Sequence, residues 1–501
     1  MSYDVAIVGG GPVGLFLACE LRLHGVRTVV LEQRTEIDQT IKAGGVTGRG
    51  ADILTRRNVV ELLGDLPTFA DLMGGRKLGD KSLQAQTAKG GGPLLGHFAG
   101  LWILRGGSYS GGAPILTPQQ ALESALEKHA AELGVAVRRG HALTRLDQDD
   151  HGVALTVEGP EGPYELRVGW LVGCDGGRSA VRKMTGFAFP GLDGVTTGHQ
   201  ALADFDEPDF FPFGWQRTAH GMLVRGPVPQ RVMTLEFDGP PVDRSAPVTR
   251  EELQASVRRL SGTDVTVTAV HSATRFTDNT RQADTYRIGR VLLAGDAAHV
   301  HPPFGGQGLA LGFGDAVNLG WKLAAEVAGR APDGLLDTYT TERHPAAARV
   351  LHNTRAQVAL LAPGPRVDAL RDVFTALAET TEANRLLTDL MGDRDLRYEV
   401  DVDHPLAGRF CPDLPLTVSG TATSVAALSR AGRPLLLDLD SRLRDAVRPW
   451  ADRIEVVTAR TDEAPAPAVL VRPDGYVAWA GEDADGLERA CARWFGSPVR
   501  G

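Results

Sequence analysis

Three times along the 501-residue chain, a short apolar run with no polar alternation stops at glycine and gives way to apolar positions at helical spacing. A strand buried on both faces reads this way, and a strand followed by a tight turn and a helix is the repeating unit of a parallel sheet. The first run is residues 4–8 (DVAIV), entering Gly9, Gly10, Gly11, Pro12, Val13, Gly14 and then a helix that Gly25 stops; residues 26–31 form a second strand, closed by Glu32. The second is GWLVGCDGGRSAVR, residues 169–182, with Asp175 and Arg178 in the turn and Ser179 at a helix start. The third is residues 291–294, ending in Gly295 and Asp296; a loop from Pro302 to Gly308 follows, then apolar positions at Leu311, Val317, Leu319, Trp321 and Leu323.

The texture differs between these corners. Residues 41–64 read as a glycine-broken loop followed by one helix, and HFAGLWIL (97–104) as a strand in an otherwise glycine-rich stretch, 64–112. Thr117 and Pro118 start the helix QQALESALEKHAAELG by cap and first-turn chemistry. VAVRRG, ALTRL and GVALTVE read as strands, the last turning back in a hairpin around 159–163. After Gly186, FDEPDFFPFGW, GMLVRG, RVMTLEFDG and VTVTAVHSATRF predict an antiparallel sheet inserted between two segments of the parallel one. Residues 335–391 are helical, and 433–496 read strand, strand, strand, strand, helix. The expected domains are therefore 1–186 with 281–395, the sheet insertion 187–280, and 396–501.

Composition narrows the function classes. Hydrophobic content of 43% with 23% charged residues is that of an ordinary globular protein, and the net charge of −9 argues against general nucleic-acid binding. No apolar run is long enough to span a bilayer and no secretory leader opens the chain, so a cytoplasmic protein is expected. Four scattered cysteines form neither a disulfide framework nor a metal set. His299 and His301 lack a third ligand at metal spacing, and structural hydrogen bonding is the expectation for both.

The first corner carries the most specific chemistry. In strand, GxGxxG, helix, strand, acid, Gly9 permits the tight turn, Gly11 lets backbone approach a pyrophosphate, Gly14 lets helix pack on strand, and Glu32 accepts from an adenosine ribose. Asp296, leaving the end of a buried strand, is in reach of a ligand hydroxyl, and the glycine loop behind it bares amides at a helix start. Lys42 is a cation that could face phosphate or flavin; Arg34 stacks on adenine or is a solvated loop charge; Asp175 and Arg178 orient a dinucleotide or pair with each other.

With GxGxxG, DG and GD corners in that order (9–14, 173–182, 295–308), the chain resembles the single-component FAD-dependent aromatic hydroxylases of the para-hydroxybenzoate hydroxylase type. Among them it looks most similar to bacterial hydroxylases that tailor aromatic polyketides in antibiotic biosynthesis. The likeness covers residues 1 to about 350, and LVRPDGYVAWAG (470–481) is similar to the C-terminal domain of the longer members. It implies an α/β, Rossmann-like FAD-binding domain, an antiparallel-sheet lid over the substrate, and a thioredoxin-like C-terminal domain. In that domain Cys491 has no partner, so an assembly role is expected rather than a redox one.

The resemblance further implies reduction of the flavin by NADPH or NADH, addition of O2 at C4a, and passage of the distal peroxide oxygen to a polycyclic phenol or quinone. The positions expected to hold FAD are Gly9, Gly11, Pro12, Val13, Gly14, Glu32, Gln33, Arg34, Lys42, Gln119, Leu143, Asp175, Asp296, Pro303, Gly306, Gly308, Leu309 and Ala310. Lys42 stands where the family usually has Arg, and Ala310 where it commonly has Asn. No catalytic residue is identified; His220, Arg225, Gln200 and Pro303 are the pocket candidates. Baeyer–Villiger insertion or epoxidation, a flavin dehydrogenase or oxidase, and a flavin-holding scaffold without turnover remain alternatives. Substrate identity, a biosynthetic or drug-inactivating role, and a homodimer are left open.

Overall fold

The computed structural model describes residues 3–67, 94–105, 114–226, 230–243 and 246–498. Its organising element is a six-stranded sheet in the order Arg287–Ile288, Val291–Leu293, Trp170–Gly173, Val5–Val8, Thr28–Glu32, Ala136–Arg139. All neighbours are parallel except the short Arg287–Ile288 edge strand. The uninterrupted apolar runs have the expected consequence: Val5, Ile7, Val29, Val30, Leu171, Val172, Leu292 and Leu293 are wholly buried. Across one face lie the helix Pro12–Leu23 and the long helix Gly308–Val327, in edge-to-face contact through Phe16 and Phe313. Since the strands are parallel, Gly9, Glu32, Gly173 and Ala294 all leave the sheet at the same edge. Open α/β sheets bind ligands at the carboxyl ends of their strands, so three segments far apart in sequence deliver their turns to one place.

The inserted region forms a five-stranded antiparallel sheet in the order Gly214–Thr218, Gly221–Arg225, Arg231–Glu236, Thr197–Phe205, Val267–Phe276. Its outer face is covered by a helix, Arg250–Ser261, that the strand-by-strand reading of the insertion had omitted. The Thr249 hydroxyl accepts from the Glu252 amide, and Leu253, Val257 and Leu260 are buried against Ala201, Leu223, Val232 and Val267. HFAGLWIL is two strands rather than one, Leu94–Phe98 and Leu101–Arg105, because Ala99 and Gly100 both adopt positive φ and turn the chain back. The segment expected as one helix after the glycine loop is broken at left-handed Asn58, between Gly48–Arg56 and Val59–Leu62. The helix Gln119–Glu132 has Pro118 at its N-cap with no side-chain cap, so Thr117 does not serve as one.

Beyond the helices Thr338–Leu361, Pro365–Ala378 and Thr381–Gly392, the C-terminal unit has a four-stranded sheet ordered Glu455–Thr458, Leu435–Asp438, Ala468–Val471, Val477–Gly481, with the helix Ala484–Phe495 packed on it. The first pair is parallel and the other two antiparallel. A hairpin, Pro415–Val418 with Thr421–Ser424, precedes it, unanticipated by the sequence pattern. Among the described residues no helix is long and apolar enough to cross a membrane.

Candidate functional site

The edge where the strands converge opens into one elongated cavity of about 1080 Å³. Pockets for drug-sized ligands run to roughly 300–1,000 Å³, so this space has room for a ligand at or above the upper end of that range. Gly9, Gly11, Pro12, Val13, Glu32, Gln33, Arg34, Lys42, Gln119, Leu143, Asp175, Asp296, Pro303, Gly306, Gly308 and Leu309 line it, as does Gln200 from the lid.

The first corner fits a dinucleotide on steric grounds. Gly9 has φ +109°, and a Cβ there would lie 2.3 Å from the Cys174 carbonyl oxygen; at Gly11 a Cβ would meet nothing within 4 Å, so the backbone faces open cavity. At Gly14, outside the lining, a Cβ would strike the Gly9 oxygen at 2.1 Å. The three positions thus separate into turn, cradle and helix contact, the division of labour a pyrophosphate-binding turn requires. The Glu32 carboxylate accepts from the Gly10 amide at 2.7 Å and the Arg34 amide at 2.8 Å, which orients both oxygens at the strand end with lone pairs to spare.

At the second corner, Asp175 accepts from the Ser179 hydroxyl at 2.5 Å and from the Ala180 and Val181 amides. Burial pushes its carboxyl above the ordinary value, against the pull of those donors. Its partners are therefore helix-start groups rather than Arg178, which stands exposed at the cavity wall. At the third, the Asp315 carboxylate accepts from the Gly295 amide at 3.0 Å and so pins the turn that carries Asp296. His299 is buried with Nε2 2.7 Å from Asp315, while His301 lines the cavity with Nδ1 2.9 Å from the Pro302 carbonyl.

Besides Gly14, three expected site residues fall elsewhere. Ala310 packs on the helix Gly48–Arg56 instead of on the cavity: a Cβ at Gly50 would come within 2.7 Å of the Ala310 Cβ. His220 is exposed at a hairpin tip. Arg225 points to the outer face of the lid sheet, donating to the Phe211 and Pro208 carbonyls and to Asp209 at 3.1 Å. Strand alternation explains this, because the register places Trp215, Val224, Met233, Gln200 and Thr274 in one cross-strand row on the inner face.

The same register brings in residues the sequence reading missed. Arg231, two positions before Met233, lines the cavity and donates to the Lys42 carbonyl at 3.1 Å, its guanidinium disfavoured by burial. Trp215 and Phe276 each meet Phe304 edge-on, making this end apolar. His97 lies against Trp215 at 4.2 Å. Its Nδ1 accepts from the Gly100 amide at 3.3 Å, so the neutral ring carries its proton on Nε2. Alternating polar and apolar letters in 231–236 and 267–276 hinted at an inner face, but which face was inner depended on pairings the sequence does not display.

Burial pushes the His97 pKa down to about 4 from its ordinary 6.5. Between those values the unfolded chain binds the extra proton, so this residue's contribution is stability that falls as pH drops from 6.5 towards 4. The expected consequence for catalysis is an acid limb of kcat/KM that is unchanged between pH 6 and 7 in His97→Gln; an inflection there that the substitution removes would show a titrating imidazole.

A family model described as the FAD binding domain matches residues 2–354, and one described as the aromatic-ring hydroxylase C-terminal region matches 404–498. The chain is 43% identical, over all of both chains, to a 12-dehydrotetracycline 5-monooxygenase/anhydrotetracycline 6-monooxygenase of Streptomyces rimosus. It is 41% identical, again over all of both, to a rifampicin monooxygenase of Streptomyces venezuelae. Among solved structures, the anhydrotetracycline hydroxylase of Streptomyces rimosus superposes with a TM-score of 0.88 at 42% identity, covering 100% of each chain.

Proposed function

The chain belongs to the single-component FAD-dependent aromatic hydroxylases and is an FAD-dependent monooxygenase, and from that premise we propose that it hydroxylates a polycyclic aromatic polyketide held as an oxyanion under the lid sheet. The observation carrying this reading is the cavity's polarity: a nucleotide-fitting end at Gly11 and Glu32, and an apolar end at Trp215, Met233 and Phe276 beside which Arg231 brings a desolvated cation.

When bound, FAD supplies the relay of electrons from NAD(P)H and the activation of O2. The residues of the chain bind and exclude. In our reading Glu32 holds the adenosine ribose, the Gly11 backbone the pyrophosphate, Asp296 the ribityl hydroxyls, and the amides of residues 306–309 the electron-rich edge of the ring system. Pro303 and Phe304 wall the reacting carbon from water. Arg231 faces the substrate oxygen, where a cation favours the more nucleophilic phenolate over the phenol, and His97 Nε2–H is a neutral donor beside it. Neither is a base, so the substrate's proton passes to solvent.

The proposal extends to domain limits 1–186 with 281–395, 187–280, and 396–501. We read the last as thioredoxin-like, supported by the order and sense of its four strands. Burial raises Cys411 to about 11 and Cys491 to about 12, which suits a unit without thiol exchange.

The deciding experiment is a screen of polycyclic phenols for accelerated NAD(P)H oxidation, followed by mass analysis of the product under labelled O2. One labelled atom on an aromatic carbon is expected; insertion beside a ring ketone would replace hydroxylation with a Baeyer–Villiger reading, and NAD(P)H consumption without label would make the protein an oxidase. Arg231→Gln is expected to raise KM for the phenol at least tenfold, the loss of about 1.5–3 kcal/mol from one charge-assisted hydrogen bond, with FAD affinity unchanged. An unaltered KM would remove Arg231 from substrate binding.

A further inference from the structure

The helix Gly308–Val327, whose first turn lines the cavity, carries a polar stripe at Asp315, Asn318 and Lys322. Spacings of three and four place them on one face, and all three are fully buried. Burial of charge at this density is costly unless every member is paired, so the partners reveal what the stripe holds. They come from two sides. The stripe's Asp315 takes the Gly295 amide, His299 and, at 2.8 Å, Arg343 Nε. Arg343 Nη1 continues to the Tyr398 hydroxyl at 2.9 Å, and Tyr398 is stacked on Tyr476 at 4.1 Å. Farther along the helix, Asn318 donates to Glu342 at 2.7 Å and to Asp474 at 3.1 Å, and Lys322 donates to Glu342 at 2.6 Å. Arg472 closes the set on Glu342, at 2.6 and 2.8 Å, and on Asp474.

Glu342 and Arg343 are adjacent on one helix; the first reaches the C-terminal unit and the second reaches the Asp296 turn. We propose that the C-terminal unit is a positioning element of the flavin site: Asp474, which accepts from the Tyr476 amide at 3.3 Å, sets with Tyr476 and Tyr398, through Arg343 and Asp315, the turn that presents Asp296. This rests on the FAD assignment above. It gives the RPDGY segment a task that needs no chemistry of its own, because its groups touch neither cofactor nor substrate and act through Asn318, Glu342 and the Arg343–Asp315 pair.

The test compares Tyr398→Phe and Asp474→Asn with Val457→Ala, which hollows the opposite face of the C-terminal sheet without touching the relay. Two readouts are taken on the full chain: FAD affinity by fluorescence titration, and hydrogen exchange of residues 291–300 in the apoprotein. Coupling of this kind changes an equilibrium by about 2- to 30-fold. Both relay variants are expected to weaken FAD binding and to speed exchange of 291–300 within that range, while Val457→Ala lowers the melting temperature and leaves both readouts unchanged. Relay variants that match the wild type in both readouts would overturn the proposal; so would Val457→Ala producing the same losses, since these would then follow from stability. If the wild type takes up no FAD, the flavin reading fails, while the exchange comparison still decides the relay.

Discussion

Alanine at position 9 is expected to give a protein that does not retain FAD and is markedly less stable. The added Cβ would stand 2.3 Å from a backbone oxygen, that of Cys174, just past the end of the neighbouring strand, and the φ of +109° is one that L side chains rarely adopt. Overpacking costs about 1–3 kcal/mol and a forced backbone conformation about 1–3 more. To escape the contact, the Val5–Val8 and Trp170–Gly173 strands must separate at their carboxyl ends, where the first two corners meet. Gly11→Ala is the informative companion. Its Cβ would meet nothing within 4 Å, so the apoprotein is expected to melt within a degree or two of wild type yet lose FAD affinity by a hundredfold or more, about 2.7 kcal/mol. Apoprotein melting and FAD titration of the two variants separate turn geometry from cofactor contact. Wild-type affinity in Gly11→Ala would place the pyrophosphate elsewhere.

The second large effect is expected from Arg472→Met. Removing this guanidinium leaves Glu342 and Asp474 buried with fewer partners, and truncating one side of a buried ionic cluster costs about 3–5 kcal/mol. Burial by itself would raise the Glu342 carboxyl, but Arg472 and Lys322 hold it far below its ordinary 4.5. Its folded value is depressed, so its contribution to stability is fully present above pH 4.5 and is lost progressively as pH falls from there towards the depressed folded value. The wild type is therefore expected to weaken in urea on acidification below pH 4.5, and Arg472→Met to be weak already at pH 7 with a flatter acid dependence. Equal midpoints for the two proteins at pH 7 would show that the cluster contributes no net stability.

What the sequence made legible follows from range. GGGPVG, Glu32 and Asp296 are local patterns, each decided by residues within one strand and one turn, and the parallel sheet brings those corners to a single edge. The lid's inner face is a matter of register between strands tens of residues apart, so the letters do not single out Arg231 and Trp215, and Arg225, a pocket candidate, lies on the other side. The Arg250–Ser261 helix was legible and went unread: Thr249 with Glu252 is a capping pair, and Leu253, Val257 and Leu260 keep helical spacing. Asp315, Asn318 and Lys322 also show their common face in the letters, though their partners at 342, 343, 472 and 474 do not.

The order of strands in the six-stranded sheet also has a consequence for synthesis. Its central strand, Val5–Val8, leaves the ribosome among the first residues, whereas Val291–Leu293 arrives only after the whole lid has been made. At about 5–20 residues per second, the roughly 120 residues between Gly173 and Val291 leave the apolar Trp170–Gly173 edge of the nascent amino-terminal half uncovered for about 6–24 s. The lid, being continuous in sequence, can form during that interval. A nascent chain that has emerged as far as residue 280 would therefore carry a finished cover and an unfinished floor, which makes this the interval in which chaperone occupancy should be greatest.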